Sequence, residues 1–186
     1  MKGVIFTEFA EMAETRFGFD AVDRMFEVAK PAASGVYAAT GTYPASELFA
    51  LVGALSHVVS VPVPKLVHAF GSHLFGALVR MHPEYILRAR DCFEFLESID
   101  SHIHVEVRKL YPDAELPRFS SRTDADRMVM ELEYRSPRRL DDLAQGLIEA
   151  SLAHFREVAT VTRSALANDK SGCLFTIRKS AAETRT

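Results

Sequence analysis

Residues 128–140, "MVMELEYRSPRRL", decide how this chain is read. The first seven are apolar or aromatic at every second position, Met128, Met130, Leu132 and Tyr134, the period of a strand with one buried face. Continuing that face brings out Ser136 and then Arg138, so a row of three hydrogen-bond donors forms beside the strand end. A hydroxyl donates or accepts, whereas a guanidinium only donates, is permanently charged, and fits a carboxylate or phosphate with its planar fork. Spacing alone leaves two readings open, a solvated polar end of an edge strand or a receptor for an anion. Beyond the row, Leu140, Leu143, Leu147 and Phe155 recur at helical spacing and predict a helix over 139–155. Asp141 and Asp142 stand at its start, where the helix dipole favours them.

Working outward, "RFSSRTDADRMVMELEY" predicts two strands around a polar turn, and "VATVTRSALANDKSGCLFTIR" a hairpin. The N-terminal two thirds is helical in pattern. Ile5, Phe9, Met12 and Phe17 mark a first helix ended by Gly18, and Val22, Met25, Phe26 and Ala29 a second before Pro31. After the loop "PAASGVYAATGTYP", Leu48, Leu51, Val52, Leu55 and Val59 form a third helix. Leu66, Phe70, Leu74, Ala77, Leu78 and Met81 form a fourth, closed by Pro83, and a fifth helical run covers roughly 84–110 before breaking at "YPDAELP". The expected fold is α+β: an N-terminal helical subdomain packed on a C-terminal antiparallel sheet with one long helix, as one domain over 1–180 with a disordered tail at 181–186.

Composition narrows the chemistry. At 186 residues a single domain buries roughly 70% of its unfolded surface, enough for a large core or a cavity. A net charge of −3, with Lys and Arg scattered, gives no field for nucleic acid. Cys92 and Cys173 are too few for a disulfide framework and lack metal-type spacing, which predicts a cytoplasmic protein. The amphipathic start "MKGVIFTEFAEMAETRFG" carries Glu8, Glu11 and Glu14 and does not read as an export signal. The longest apolar stretch, residues 48–63, contains His57 and Pro62 and falls short of the about 20 residues a membrane span needs. No glycine-rich phosphate loop, G-x-S-x-G, H-E-x-x-H or C-x-x-C occurs, so no enzyme is indicated.

The histidines are the remaining candidates. His104, in "HIH" at 102–104, borders the apolar stripe of the fifth helix, one turn from Asp100 and one from Arg108. Alone, such a residue is more often structural than a ligand, and His102, His57, His68, His73, His82 and His154 stand no higher.

"MKGVIFTEFAEM", "TGTYP", "HIHVEVRKLYPDAELPRF" and "YRSPRRL" together resemble the H-NOX family of haem nitric oxide/oxygen-binding domains, over Met1 to about Arg178. The resemblance implies haem b (iron protoporphyrin IX), held through iron by one helix-borne histidine, with a Tyr-x-Ser-x-Arg row receiving the propionates. That row is complete here as Tyr134, Ser136 and Arg138. Family spacing sets the ligand seven residues before Tyr111, at His104. Pro117 matches a proline that presses on the haem face, and Ile5, Phe9, Leu78, Leu143 and Leu147 become candidates for the opposite, gas-binding wall. Oxygen-binding members carry a tyrosine donor nine positions after the motif Tyr, and this chain has Leu143 there.

That apolar position implies a sensor of nitric oxide, tolerant of carbon monoxide and closed to oxygen, that signals in trans to a histidine kinase or a cyclic-di-GMP enzyme. Some relatives carry a cysteine cluster in the last hairpin, where this chain keeps only Cys173. Two rival classes remain at this stage: a hydrophobic-ligand or trafficking module of similar fold, and a haem enzyme.

Overall fold

The computed structural model describes residues 1–166 and 169–180; the tail expected to be disordered, 181–186, lies outside them. Glycine and proline punctuate the helical part. Helix α1 (Gly3–Phe17) stops at Gly18, whose φ of 85° lies in a region that other residues rarely enter. Helix α2 (Phe19–Ala29) ends on Lys30 in the left-handed conformation, just before Pro31. Pro44 and Pro62 immediately precede α3 (Ala45–Val59) and α4 (Val63–Met81). The predicted faces are buried in their middle: Phe9 and Met12 of α1, joined by Phe6, close one core with Leu51 and Leu55 of α3 and Leu66, Phe70 and Leu74 of α4, while Ile5 and Phe17 are only partly buried and Leu78 and Met81, at the end of α4, are exposed.

The predicted fifth run is not one helix. It divides into α5 (Pro83–Leu87), α6 (Cys92–Ser98), a π-helical turn over Ile99–Ile103, and α7 (His104–Leu110). The break has a local cause. Asp91 is extended, at φ −146° and ψ 169°, and its Oδ1 accepts the backbone N–H of Glu94 at 2.7 Å, the geometry of an N-cap that starts a new helix.

Strands β1 (Arg118–Thr123), β2 (Val129–Arg135), β3 (Ala159–Leu166) and β4 (Asp169–Lys179) make one antiparallel sheet in the order β1-β2-β4-β3. Along β2, Met130, Leu132 and Tyr134 point into a second core with Phe175 and Ile177 of β4, while Glu131 and Glu133 point away, as the period of two requires. Helix α8 (Asp141–His154) begins two residues later than predicted, because Arg139 takes a left-handed turn at φ 48°.

Helix α8 belongs to both cores. Ala144, Ile148 and Leu152 pack on the sheet, and Leu140, Leu143 and Leu147 pack on the helical cluster. Its contact with α4 is backbone to backbone. A Cβ built on Gly71 would stand 2.3 Å from the Leu143 carbonyl oxygen, and one on Gly146 would stand 2.1 Å from that of His68. Ser72 Oγ donates to the Gly146 carbonyl at 3.4 Å, and His68 Nε2 lies 3.0 Å from Glu149 Oε2 beside the crossing. No single helix among the described residues is long and apolar enough to cross a membrane; α3 and α4 reach that threshold only as a pair bent by 113°.

Two glycines in helices should therefore respond in opposite senses to alanine. Gly146→Ala gains about 1 kcal/mol of helix propensity but forces the helices apart at an overpacking cost of about 1–3 kcal/mol, and the unfolding midpoint should fall. Gly53→Ala in α3 meets nothing within 4 Å and should raise it. Thermal unfolding of the two variants beside the parent checks both signs.

Candidate functional site

His104 is the first residue of α7, directly after the π turn, and its N–H bonds to the Ile99 carbonyl. A π turn fits one extra residue into a helix and changes which face the following side chains occupy. His104 is here only 9% exposed. Nδ1 lies 3.4 Å from Asp100 Oδ1, and the Pro117 carbonyl also reaches the ring. Burial lowers the imidazole pKa, outweighing the opposing pull of Asp100, so the ring is neutral at pH 7. With the proton on Nδ1, facing the carboxylate, Nε2 would carry the lone pair, the arrangement found behind metal-bound histidines. His102 is turned elsewhere: it pairs with Arg88 and meets the Tyr85 ring edge-on at 6.4 Å.

An aromatic series joins the imidazole to the sheet. His104 and Phe119 of β1 are 5.9 Å apart between centroids, Phe119 and Tyr134 5.4 Å, and Tyr134 and Phe175 6.4 Å. Tyr134 is buried, which raises its hydroxyl pKa against the opposing pull of the Ser136 side chain and the Leu140 backbone. Ser136 prolongs the β2 ladder by one bond to the Ser171 carbonyl at 2.8 Å. The chain then turns, with Arg139 N–H bonding to the Ser136 carbonyl at 3.2 Å, and this turn rather than the strand delivers Arg138. The Arg138 backbone N–H lies 3.3 Å from Ser136 Oγ, its Nη1 donates to the Glu115 carbonyl at 2.8 Å, and its Nη2 pairs with the Glu115 carboxylate.

The five apolar wall candidates are not equivalent. Phe9 is fully buried and meets Phe70 edge-on at 5.2 Å, while Ile5, Leu143 and Leu147 are partly buried against the same helical core. Leu78 is more open, at 37% exposed. Two surface clefts, about 530 Å³ at the β1–β2 turn and about 440 Å³ between α1 and Gly35–Tyr37, are lined by none of the predicted site residues. His73 is engaged by Glu8 at 3.1 Å across α1 and α4. Glu115 and Phe119 carry no signal in the sequence pattern, since one sits in a loop and the other on a strand whose exposure does not alternate.

The donor set suits an iron cofactor that carries carboxylates: a neutral buried imidazole for the metal, and two hydroxyls with a guanidinium for anions. The family model described as haem-NO-binding matches residues 2–163. The chain therefore belongs to the H-NOX family, whose members are haem-based gas sensors. It is similar to the Fe(II) unliganded H-NOX protein of K. algicida, at 33% identity and a TM-score of 0.91 with both chains covered in full. The H-NOX of Shewanella woodyi, solved with IWP-051 in the Fe(II)CO state, is 38% identical at a TM-score of 0.83, covering 100% of this chain and 99% of that one. That of S. oneidensis in the Fe(II)NO state is 28% identical at 0.88, covering 97% and 100%. No protein of curated function matches the chain.

Neither cysteine is poised for thiol chemistry. Burial pushes the Cys92 thiol up to about 12, with its Sγ 3.1 Å from Ser151 Oγ, and the Cys173 thiol up to about 11. Since the thiolate is the reactive form, the folded protein at pH 8 should show no rapid reaction with a disulfide reagent, and two reactive thiols should appear on denaturation.

Proposed function

We propose that this protein is a cytoplasmic nitric oxide sensor that holds haem b with His104 as the iron ligand and regulates a histidine kinase or a cyclic-di-GMP enzyme in trans. The observation that carries the reading is the contrast between the two neighbouring histidines. His104 is buried, oriented by Asp100 and joined through Phe119 to the Tyr134 row, whereas His102 is committed to Arg88 on another face. Two free buried thiols accord with a reducing compartment.

Bound haem would supply the iron at which the gas coordinates. The protein's part is to present a neutral imidazole on one side, to receive the propionates on Tyr134, Ser136 and Arg138, and to offer apolar side chains on the other. Two carboxylates cost several kcal/mol each to bury unless they are paired and hydrogen-bonded, and this row provides both a charge and hydroxyl donors. Leu143 has no group to donate to a gas, so a ligand that needs a hydrogen bond to stay is disfavoured and nitric oxide is not.

A change in the pull on His104 passes along α7 and the π turn into the helix seated on the sheet. The Gly71–Gly146 crossing is the joint about which the helical part shifts against the sheet part. The chain is not itself an enzyme in this reading.

His104→Gly should lose haem or retain it only with added imidazole, and His102→Ala should keep it; absorption spectra of the purified variants decide, and the reverse pattern would move the ligand to His102. Arg138→Ala should weaken haem retention more than Ser136→Ala, because the guanidinium supplies a charge and two donors against the single donor of one hydroxyl. The anaerobically reduced parent should bind nitric oxide and carbon monoxide but form no lasting oxygen complex in air. Leu143→Tyr should raise oxygen affinity by about ten- to a hundredfold, at about 1.5–3 kcal/mol for a hydrogen bond to a charged group, with nitric oxide binding little changed. A long-lived oxygen complex of the parent would sink the assignment of gas.

A further inference from the structure

Arg138 already holds a carboxylate. Its side chain is 17% exposed and fixed between strand end and loop, while that of Glu115, its partner, is 78% exposed. The pair is therefore one buried receptor and one swinging ligand. The loop that carries Glu115 is anchored independently of this contact. Asp113 bonds to Lys2 Nζ at 2.9 Å and to Thr42 Oγ1 at 2.8 Å, Lys2 Nζ lies 4.9 Å from the Tyr111 ring centroid, and Ala114 N–H closes a turn on the Tyr111 carbonyl at 2.9 Å. With Asp113 pinned, Glu115 is kept within reach of Arg138 even when its own carboxylate lets go.

From this we infer that Glu115 is an internal stand-in for a haem propionate, competing for the Arg138 guanidinium and so setting how tightly haem is retained. The inference rests on the propionate role proposed for Arg138. Haem binding then exchanges one carboxylate for another at a fixed guanidinium, and the displaced one needs only to rotate into water, where its charge is readily solvated. The backbone bond from Nη1 to the Glu115 carbonyl does not depend on the carboxylate and keeps the loop in place during the exchange. A carboxylate that remains beside the incoming propionates also repels them. Removing its charge relieves both the competition and the repulsion.

The test is haem transfer from the loaded full-length chain to excess apomyoglobin, followed by absorbance, together with thermal unfolding of haem-free and haem-loaded forms. Glu115→Gln should slow haem transfer by about two- to fivefold, the scale of a partly exposed ion pair. It should lower the unfolding midpoint of the haem-free chain and leave that of the loaded chain unchanged. Asp113→Asn, with the same charge change on the same loop but no contact with Arg138, should not slow transfer. In an Arg138→Ala background, where only the repulsion remains, Glu115→Gln should slow transfer less than it does in the parent, and an undiminished effect would overturn the inference. Faster or unchanged transfer from Glu115→Gln, or an equal fall in both midpoints, would make Glu115 a plain structural tether and overturn the inference. If Arg138→Ala hastens transfer while Glu115→Gln does nothing, only this inference falls. If Arg138→Ala itself changes nothing, the propionate reading falls with it.

Discussion

Everything in this molecule is arranged around a place where no side chain fits. Helices α4 and α8 cross at Gly71 and Gly146, with each glycine facing a carbonyl oxygen of the other helix at a distance no Cβ could occupy. The two hydrophobic cores are otherwise separate, one among α1–α4 and one between α6, α8 and the sheet. Because the crossing is so close, α8 presents one face to each core, and Leu143 and Leu147 reach the helical cluster while Ala144 and Ile148 seal the sheet. A wider crossing would leave α8 serving one core and would pull the apolar wall away from the sheet that carries Tyr134.

The second fastening lies at the base of the segment that carries His104. Glu157 accepts the N–H of Cys92, the first residue of α6, at 3.0 Å and pairs with Lys179 Nζ at 2.8 Å, while that ammonium sits 4.0 Å from the Phe93 ring centroid. All three groups are shielded from water, where an ion pair and a cation–aromatic contact are stronger than at the surface. Helix α6 is thus fixed to the end of β4, and Leu110, at the far end of α7, is open to solvent. Both ends of this segment are held, the one nearer the sheet through Glu157 and Lys179 and the one beyond His104 through the contacts of Asp113 with Lys2 and Thr42.

How much of this was legible in the sequence follows from the range of the interactions involved. The period of two along Met130, Leu132 and Tyr134 and the helical spacing in α1 to α4 are local consequences of burying one face, and the observed elements follow them. The Asp91 cap was as local but was masked by an apolar pattern that continues across it through Leu96 and Ile99. Arg138 was predicted on the strand's own face, yet a turn delivers it, because the ladder ends at Ser136. The choice between His102 and His104 could not come from periodicity at all, since the intervening turn does not keep the α-helical period; the family resemblance made it. Glu115 and Phe119 depend on which loops and strands meet in three dimensions, and no spacing rule reaches that far.

The π turn has a consequence for how this chain tolerates change in length. In an unbroken α-helix, one residue more or less rotates everything beyond it by about 100°, which would swing a buried imidazole from one wall to another. A five-residue turn that already holds a surplus residue is a phase shifter: closing it up to ordinary α geometry absorbs the deletion of one residue in α6. The direction in which the ring faces is thereby protected against the loss of one residue from the helix that supports it.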